Sequence, residues 1–319
     1  MFRELELLQF IETHLRQNQK VVLMVVVQSL GSSPGRPGFK MAVAKDGTLF
    51  GSIGGGVMEL SLVSQAKVKS KKAKGKIINQ IHRKNVPNSS GMICSGRQTI
   101  VVNELLKDDL PTIEKIINCL ENHISAFIEL TENSLQVIES KDFQHNYSFQ
   151  KLGETSFIYR EKLGFKQNLY IIGGGHCALA LSELMSKMDF HISLFDDRPN
   201  LNTLEKNTFA HSKTIIESYE NIAEFVPSGE QNYVVVMTLG YKFDEIVIRQ
   251  LFDKKFKYFG VLGSKAKMKT LLKTLEKEGF DKKRLAKIHT PIGLPINSHT
   301  PEEIAISIAA ELVTARNGY

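Results

Sequence analysis

The chain has no tryptophan, only three cysteines and no long apolar run. Nothing approaches the ~20 consecutive apolar residues of a membrane helix, so no membrane span is expected. Cys94, Cys119 and Cys177 share no metal-type spacing and form no disulfide framework. That pattern points to a reducing cytoplasm and to no bound metal of the zinc-site kind. The opening segment, MFRELELLQFIETHLRQ, alternates charged and apolar positions at helical spacing. It reads as an amphipathic helix, not a signal peptide. A net charge of +7 raises the question of nucleic acid, but no nucleic-acid motif accompanies it. The lysines are scattered apart from one cluster between Lys67 and Lys76, so solvated helix ends account for them and nucleic acid is not an expected partner.

What is present is a globular composition, 42% hydrophobic and 24% charged over 319 residues. That length suggests two domains with separate cores. The most informative stretch is NLYIIGGGHCALALSELMSKMDFHISLFDDRP, residues 168–199. It reads as strand, tight turn, helix, strand. Gly173-x-Gly175-x-x-Ala178 sits at the first strand-to-helix turn, where a Rossmann phosphate loop belongs. Glycine there lets backbone approach an anion, and the new helix presents free N–H groups. Asp196 closes the second strand about 20 residues on, where an acid can bind ribose hydroxyls. Arg198 beside it blurs the choice between a ribose diol and a 2′-phosphate. His176, at the start of the helix, is a further phosphate donor or a surface cap.

Strand and helix patterns alternate through the rest of this half, which implies a parallel sheet with helices on both faces. Ligands bind such sheets at the carboxyl ends of the strands. The same edge then receives Thr238, Gly263 and Ser264, with Ser264 either a second anion donor or a plain helix cap. The last helix opens on Thr300-Pro301-Glu302-Glu303, a capping signature.

The N-terminal half is α/β in pattern. An apolar run at Val21–Val27 reads as a buried strand. Two glycine-rich loops follow, Gly31 to Gly38 and Gly51 to Gly56, separated by a hairpin across Lys45-Asp46-Gly47. Ser33, Arg36 and Lys40 in or beside the first loop, and Gly54, Gly55 and Gly56 in the second, are candidates for holding phosphate or oxo groups with backbone and side-chain donors; the alternative is two ordinary turns. Glu59, in the first turn of the next helix, is either a ligand for an amino group or a charge suited to the helix dipole. Cys94 lies in a third glycine-flanked loop. It is the candidate catalytic residue, a thiolate being a soft ligand, against the alternative of an inert buried thiol. Cys119 reads as core, and Cys177 as packing beneath the phosphate loop. The expected division is a first domain over 1–153, a linker over 154–167 and a second domain over 168–319.

Three segments together resemble one family: GSSPGRPGFKMAVAKDGTLFGSIGGGVMEL, the GGGHCALA…FDDRP unit, and the tail GVLGSKAKMKTLLKTLEKEGF…HTPIGLPINSHTPEEIAISIAAEL. They are similar, in order and over nearly the whole chain, to the xanthine dehydrogenase accessory proteins of the XdhC/CoxI type. The resemblance implies an N-terminal XdhC/CoxI-type domain with a mixed sheet and a C-terminal Rossmann-like domain. It implies a cytoplasmic homodimer that binds molybdenum cofactor (molybdopterin) and supports its sulfuration with a cysteine desulfurase. The cofactor then passes to an apo molybdenum hydroxylase such as xanthine dehydrogenase. The chain departs from the family pattern at Val57, where a cysteine is usual, and at Leu239, where a histidine is usual; Ser95 stands at a family glycine. Both first departures remove groups able to coordinate or move protons, and they favour binding and delivery over catalysis. An NAD(P)-dependent oxidoreductase, from the Rossmann unit alone, and a noncatalytic docking scaffold are the competing readings.

Overall fold

Val21 to Val27 is apolar at every position because both faces of the strand it forms are covered. Val21, Leu23, Val25 and Val27 point into one core, and Val22, Met24 and Val26 into another. Period-2 side-chain alternation makes this division, and only a strand buried on both sides tolerates such a run. The computed structural model describes residues 2–67, 75–81, 96–140 and 145–318. The chain divides into two units, Met1–Gly164 and Phe165–Tyr319.

The first unit contains α1 (Phe2–Arg16), β1 (Val21–Leu30), β2 (Lys40–Ala44), β3 (Leu49–Gly51), α2 (Gly56–Lys67), β4 (Lys76–Ile81), β5 (Arg97–Leu105), α3 (Leu110–Glu121), β6 (Ala126–Thr131), β7 (Leu135–Glu139), β8 (Tyr147–Lys151) and β9 (Phe157–Lys162). They build two sheets, β3-β2-β1-β5-β4 and β7-β6-β9-β8. Among the described residues every pairing in them is antiparallel, where a mixed sheet was expected. Helices α1 and α3 and the second sheet enclose one core, and α2 covers the other.

The division at Gly164 falls within the span expected as linker, but most of that span is ordered. Strand β9 occupies the middle of the second sheet, with Phe157 and Tyr159 fully buried. Its polar residues hid it: Glu161 is buried against Lys40, an ion pair no local pattern announces.

The second unit runs β10 (Gln167–Ile172), α4 (His176–Ser186), β11 (Phe190–Asp196), α5 (Asn202–Lys206), β12 (Ser212–Ile215), α6 (Ile222–Phe225), β13 (Gly229–Val236), α7 (Tyr241–Leu251), β14 (Phe256–Val261), α8 (Lys265–Lys277), α9 (Lys282–Leu285) and α10 (Pro301–Asn317). The sheet is parallel, in the order β12-β11-β10-β13-β14. Counted along the unit, that is the 3-2-1-4-5 order of a Rossmann fold, with the switch point between β10 and β13. Leu169 and Ile171 of β10 pack beneath α4 and α10, while Tyr170 and Ile172 pack beneath α7 and α8. No helix among the described residues is long and apolar enough to cross a membrane.

The expected cap of α10 is present in full. Thr300 Oγ1 accepts from the Glu303 N–H (3.2 Å), and Glu303 Oε2 accepts from the N–H groups of Thr300 (3.2 Å) and His299 (2.6 Å). Thr300→Ala removes one half of the box and is expected to cost about 1 kcal/mol, read as a lower midpoint of thermal unfolding for the full chain.

Candidate functional site

In the first unit the two glycine loops touch backbone to backbone. A Cβ at Gly54 would fall 2.7 Å from the Gly35 nitrogen, and one at Gly35 would fall 2.5 Å from the Ile53 carbonyl oxygen. Gly54 also adopts φ +126, which L side chains rarely reach. The seam is fixed by one buried amide, Gln98. Its Oε1 accepts from Ser33 Oγ (2.8 Å) and the Gly35 N–H (3.1 Å), and its Nε2 donates to the Ile53 carbonyl (3.3 Å) and to Gln80 Oε1 (3.2 Å). Ser33 is therefore part of the scaffold of the loops, pointing inward.

Glu59 is also turned to internal use. Its Oε2 accepts from the N–H groups of Ile53 (2.9 Å) and Gly55 (3.0 Å) and from Ser52 Oγ (2.8 Å). The nest expected to hold a ligand anion thus holds the chain's own carboxylate. The first-turn N–H groups of α2, from Gly56 on, have no acceptor within the helix. Val57 at that turn is 68% exposed and presents hydrocarbon. Gly55 has open space around it at φ +76.

Lys40, expected as a ligand donor, is committed elsewhere. Its ammonium contacts Glu161 (2.7 Å) and Glu4 (3.2 Å) with its side chain 11% exposed. Burial alone would lower its pKa, but the two carboxylates outweigh it and the net shift is upward. Tyr159 donates to the other Glu161 oxygen (3.0 Å), and the Gly164 N–H donates to Glu4 (3.4 Å). Arg36 is exposed, with a 3.5 Å contact to the Gly31 carbonyl, and stays available. Cys94 lies outside the described residues. Cys119 is buried in the core of this unit, as expected.

In the second unit the cradle forms where the sequence places it. Gly173 has φ +107, and a Cβ there would collide with the Met237 carbonyl at the end of β13. Its N–H donates to the Phe195 carbonyl (2.8 Å). Gly174 is gripped from both sides: its N–H donates to Asp196 Oδ2 (2.6 Å), and its carbonyl accepts from Thr203 Oγ1 (2.5 Å). Gly175 is the N-cap of α4 and has no atom within 4 Å of a notional Cβ. His176 is exposed at the first turn, and Cys177 is half-buried beside it.

Asp196 differs from expectation. It is 0% exposed, and it accepts from Gly174 N, from Arg198 N (2.9 Å) and Arg198 Nε (2.8 Å) at Oδ1, and from Arg198 Nη2 (2.8 Å) at Oδ2. Burial pushes its pKa up, but the Arg198 and Gly174 hydrogen bonds more than offset this and hold the carboxyl below its usual range. The strand-tip acid is thus the anchor of the loop, covered by its neighbour. The group facing outward is Arg198, at 34% side-chain exposure.

Thr238 shapes the β13 turn through a residue that sequence reasoning missed. Its N–H (3.2 Å) and hydroxyl (2.6 Å) both reach Asp244 Oδ1, from the first turn of α7. Asp244 is buried, and burial raises its pKa despite the lowering effect of the Thr238 bonds. Leu239, next to Thr238, is 72% exposed. Gly263 packs close to Met268, and Ser264 is the exposed N-cap of α8, accepting from Lys267 N at 3.5 Å. Its geometry is that of an N-cap. Gln98 was the other omission. The only sequence signal for it was a pair of glutamines at inward positions of adjacent strands, since Gln80 and Gln98 face each other in register. Among the described residues no three His, Cys, Asp or Glu side chains converge as a metal site.

Two outcomes follow for variants. Gly173→Ala is expected to lower stability by about 2 kcal/mol or more, because both φ and the Met237 carbonyl oppose a side chain, whereas Gly175→Ala should cost under about 1 kcal/mol. Chemical denaturation of both variants checks the contrast. For Asp244 the folded pKa is raised, so its favourable contribution belongs to the protonated form and is lost as pH rises through the folded value. Asn keeps the acceptor without the charge. Asp244→Asn should therefore unfold at least as high as the parent at pH 7, and its advantage should shrink as pH falls toward the acid's usual range.

Residues 169–312 match the XdhC Rossmann domain, and residues 14–74 match the XdhC and CoxI family. A Bacillus subtilis (strain 168) protein, named as one subunit of a probable xanthine dehydrogenase, is 25% identical over 323 residues, covering 95% of each chain. A protein of Escherichia coli (strain K12) named "Uncharacterized protein YqeB" is 24% identical over 304 residues, covering 94% of this chain. The chain spans only 44% of that relative's length. A crystal structure described as a xanthine dehydrogenase from Bacillus halodurans superposes with a TM-score of 0.69 at 21% identity, over 97% of this chain and 95% of that one. At that identity the likeness speaks for the fold. With both units matched in the expected order, the chain belongs to the XdhC and CoxI family.

Proposed function

We propose that the chain is an accessory factor of a molybdenum hydroxylase such as a xanthine dehydrogenase, and that it binds molybdenum cofactor and delivers it to the apo-enzyme. Family membership and a relative named for xanthine dehydrogenase support the accessory role. The observation that carries the cofactor part is the cradle at Gly173–Gly175. It has a rigid glycine turn, an open floor at Gly175, the free N–H groups of an eleven-residue helix and the outward guanidinium of Arg198. Molybdopterin carries a phosphate monoester on a fused ring system, and these groups suit that end of the molecule.

Val57 in the first unit and Leu239 in the second are exposed hydrocarbon at the positions where the family usually has a cysteine and a histidine, so neither can ligate a metal. The cradle residues bind and orient by phosphate and ring. The bound cofactor's own molybdenum centre supplies the redox chemistry, in the hydroxylase that receives it. In this reading a cysteine desulfurase provides sulfur, Cys94 is the thiol suited to carry it, and the protein acts in the cytoplasm as a homodimer. The same cradle favours a second reading, an NAD(P)-dependent oxidoreductase, since it is built in Rossmann order.

Titration of the full chain with isolated molybdenum cofactor and with NAD separates the two. Cofactor should co-elute with the protein and score positive for both molybdenum and oxidised pterin; tight NAD binding without cofactor binding would sink the proposal. Gly175→Asp is the matched variant. Asp is a favoured N-cap residue and meets no neighbour, so folding should be retained. Its charge faces the anion, so cofactor retention should fall by at least about tenfold.

A further inference from the structure

The carboxylate at the tip of β11 is the group that reads ribose in many Rossmann domains. Here it has nothing left to offer. A carboxylate accepts about four hydrogen bonds. Asp196 already receives four, one from Gly174 N and three from Arg198, at 2.6 to 2.9 Å, with no surface open to solvent. A ribose diol could bind there only by displacing the bidentate guanidinium, exchanging a cationic donor pair for hydroxyl donors that carry no charge of their own.

Arg198 is in the opposite condition. Of the five N–H groups of a guanidinium, Asp196 takes those at Nε and one at Nη2. The Nη1 edge is left over, on a side chain whose plane is fixed by a bidentate pair. Asp197 adds only a 3.9 Å contact to Nε. Two exposed apolar side chains lie on the neighbouring elements. Ile215, the register partner of Asp196 on β12, is exposed, and so is Phe225, whose ring lies 5.8 Å from that of Phe195.

We infer that Arg198 is the specificity-determining residue of this cradle, and that it selects ring-bearing ligands with a phosphate monoester at the β11 tip over ligands with a free ribose diol there. The inference rests on the reading of Gly173–Gly175 as a ligand cradle but not on which cofactor fills it. The 2′-phosphate of NADP+ and the phosphate of molybdopterin share the required chemistry. Fixed in plane by Asp196, the guanidinium meets a phosphate with little further ordering, which favours a bidentate contact.

Calorimetric titration of the full-length protein tests this, since the chain has no tryptophan to report binding. NADP+ should bind at least about tenfold more tightly than NAD+, in line with one charge-assisted pair. Equal affinities, or a preference for NAD+, would overturn the inference. Arg198→Ala should bring the two nucleotides within about twofold, chiefly by weakening NADP+ and by uncovering Asp196 for the diol. If that variant fails to fold, Arg198→Lys serves, with discrimination expected to drop but not vanish because the point charge remains without the fork. Molybdopterin is the third arm. If it binds neither protein while NADP+ is still preferred over NAD+, the proposed function fails and the inference stands. If it binds parent and Arg198→Ala equally well, the inference fails and the proposed function stands.

Discussion

A polar group cut off from water must find its partners inside the protein, and both units are arranged around one such group. In the first it is the Gln98 amide, and in the second the Asp196 carboxylate. Leaving either without partners would cost on the order of 1–3 kcal/mol, more for the charge. Each is satisfied in part by the backbone of a glycine turn. The requirement of the buried group therefore helps to fix the course of the loop.

The same constraint redistributes roles among the polar residues of the loops. Ser33, Lys40, Glu59, Asp196 and Thr238 have the chemistry of ligand-binding groups, and each is engaged by the protein itself. What faces outward is a shorter and simpler set: helix N-termini, the exposed His176 and Ser264, the Arg36 and Arg198 guanidiniums, and the hydrocarbon of Val57 and Leu239. In each unit such a set offers hydrogen-bond donors and positive charge of the kind that suits anions.

The fold of the second unit was readable in its sequence because its determinants are local. Strand and helix periods, the glycine turn and the Thr300–Glu303 cap each lie within a few residues, and the chain connections follow from them. The first unit was harder. Its strand pairing joins segments far apart in the chain, and β9 is stabilised by Glu161 reaching a lysine more than a hundred residues away. The positions of Gly173, Gly175 and Asp196 were legible, and the orientation of Asp196 was not. Sequence places an acid at a strand tip. Whether the arginine two residues on folds back over it depends on burial, and hence on Thr203, Gly174 and the neighbouring strand together. Gln98 escaped for a similar reason, since its partners lie on other elements, whereas Asp244 lies near Thr238 in the chain and only its burial shows that the side chain turns back to it.

The ion cluster of Glu4, Lys40 and Glu161 has a topological side. Glu4 belongs to the first helix of its unit, and it also accepts from the N–H of Gly164, where that unit ends. The beginning and end of the first unit thus meet across a single hydrogen bond, and the backbone between them forms a nearly closed ring. Joining the two ends through a short linker would demand little additional loop entropy. A circular permutant opened at the Lys45–Gly47 turn would be cut outside every strand, losing only the turn's own contacts, such as the Gly47 N–H to the Ala44 carbonyl and the Asp46–Thr48 hydrogen bonds.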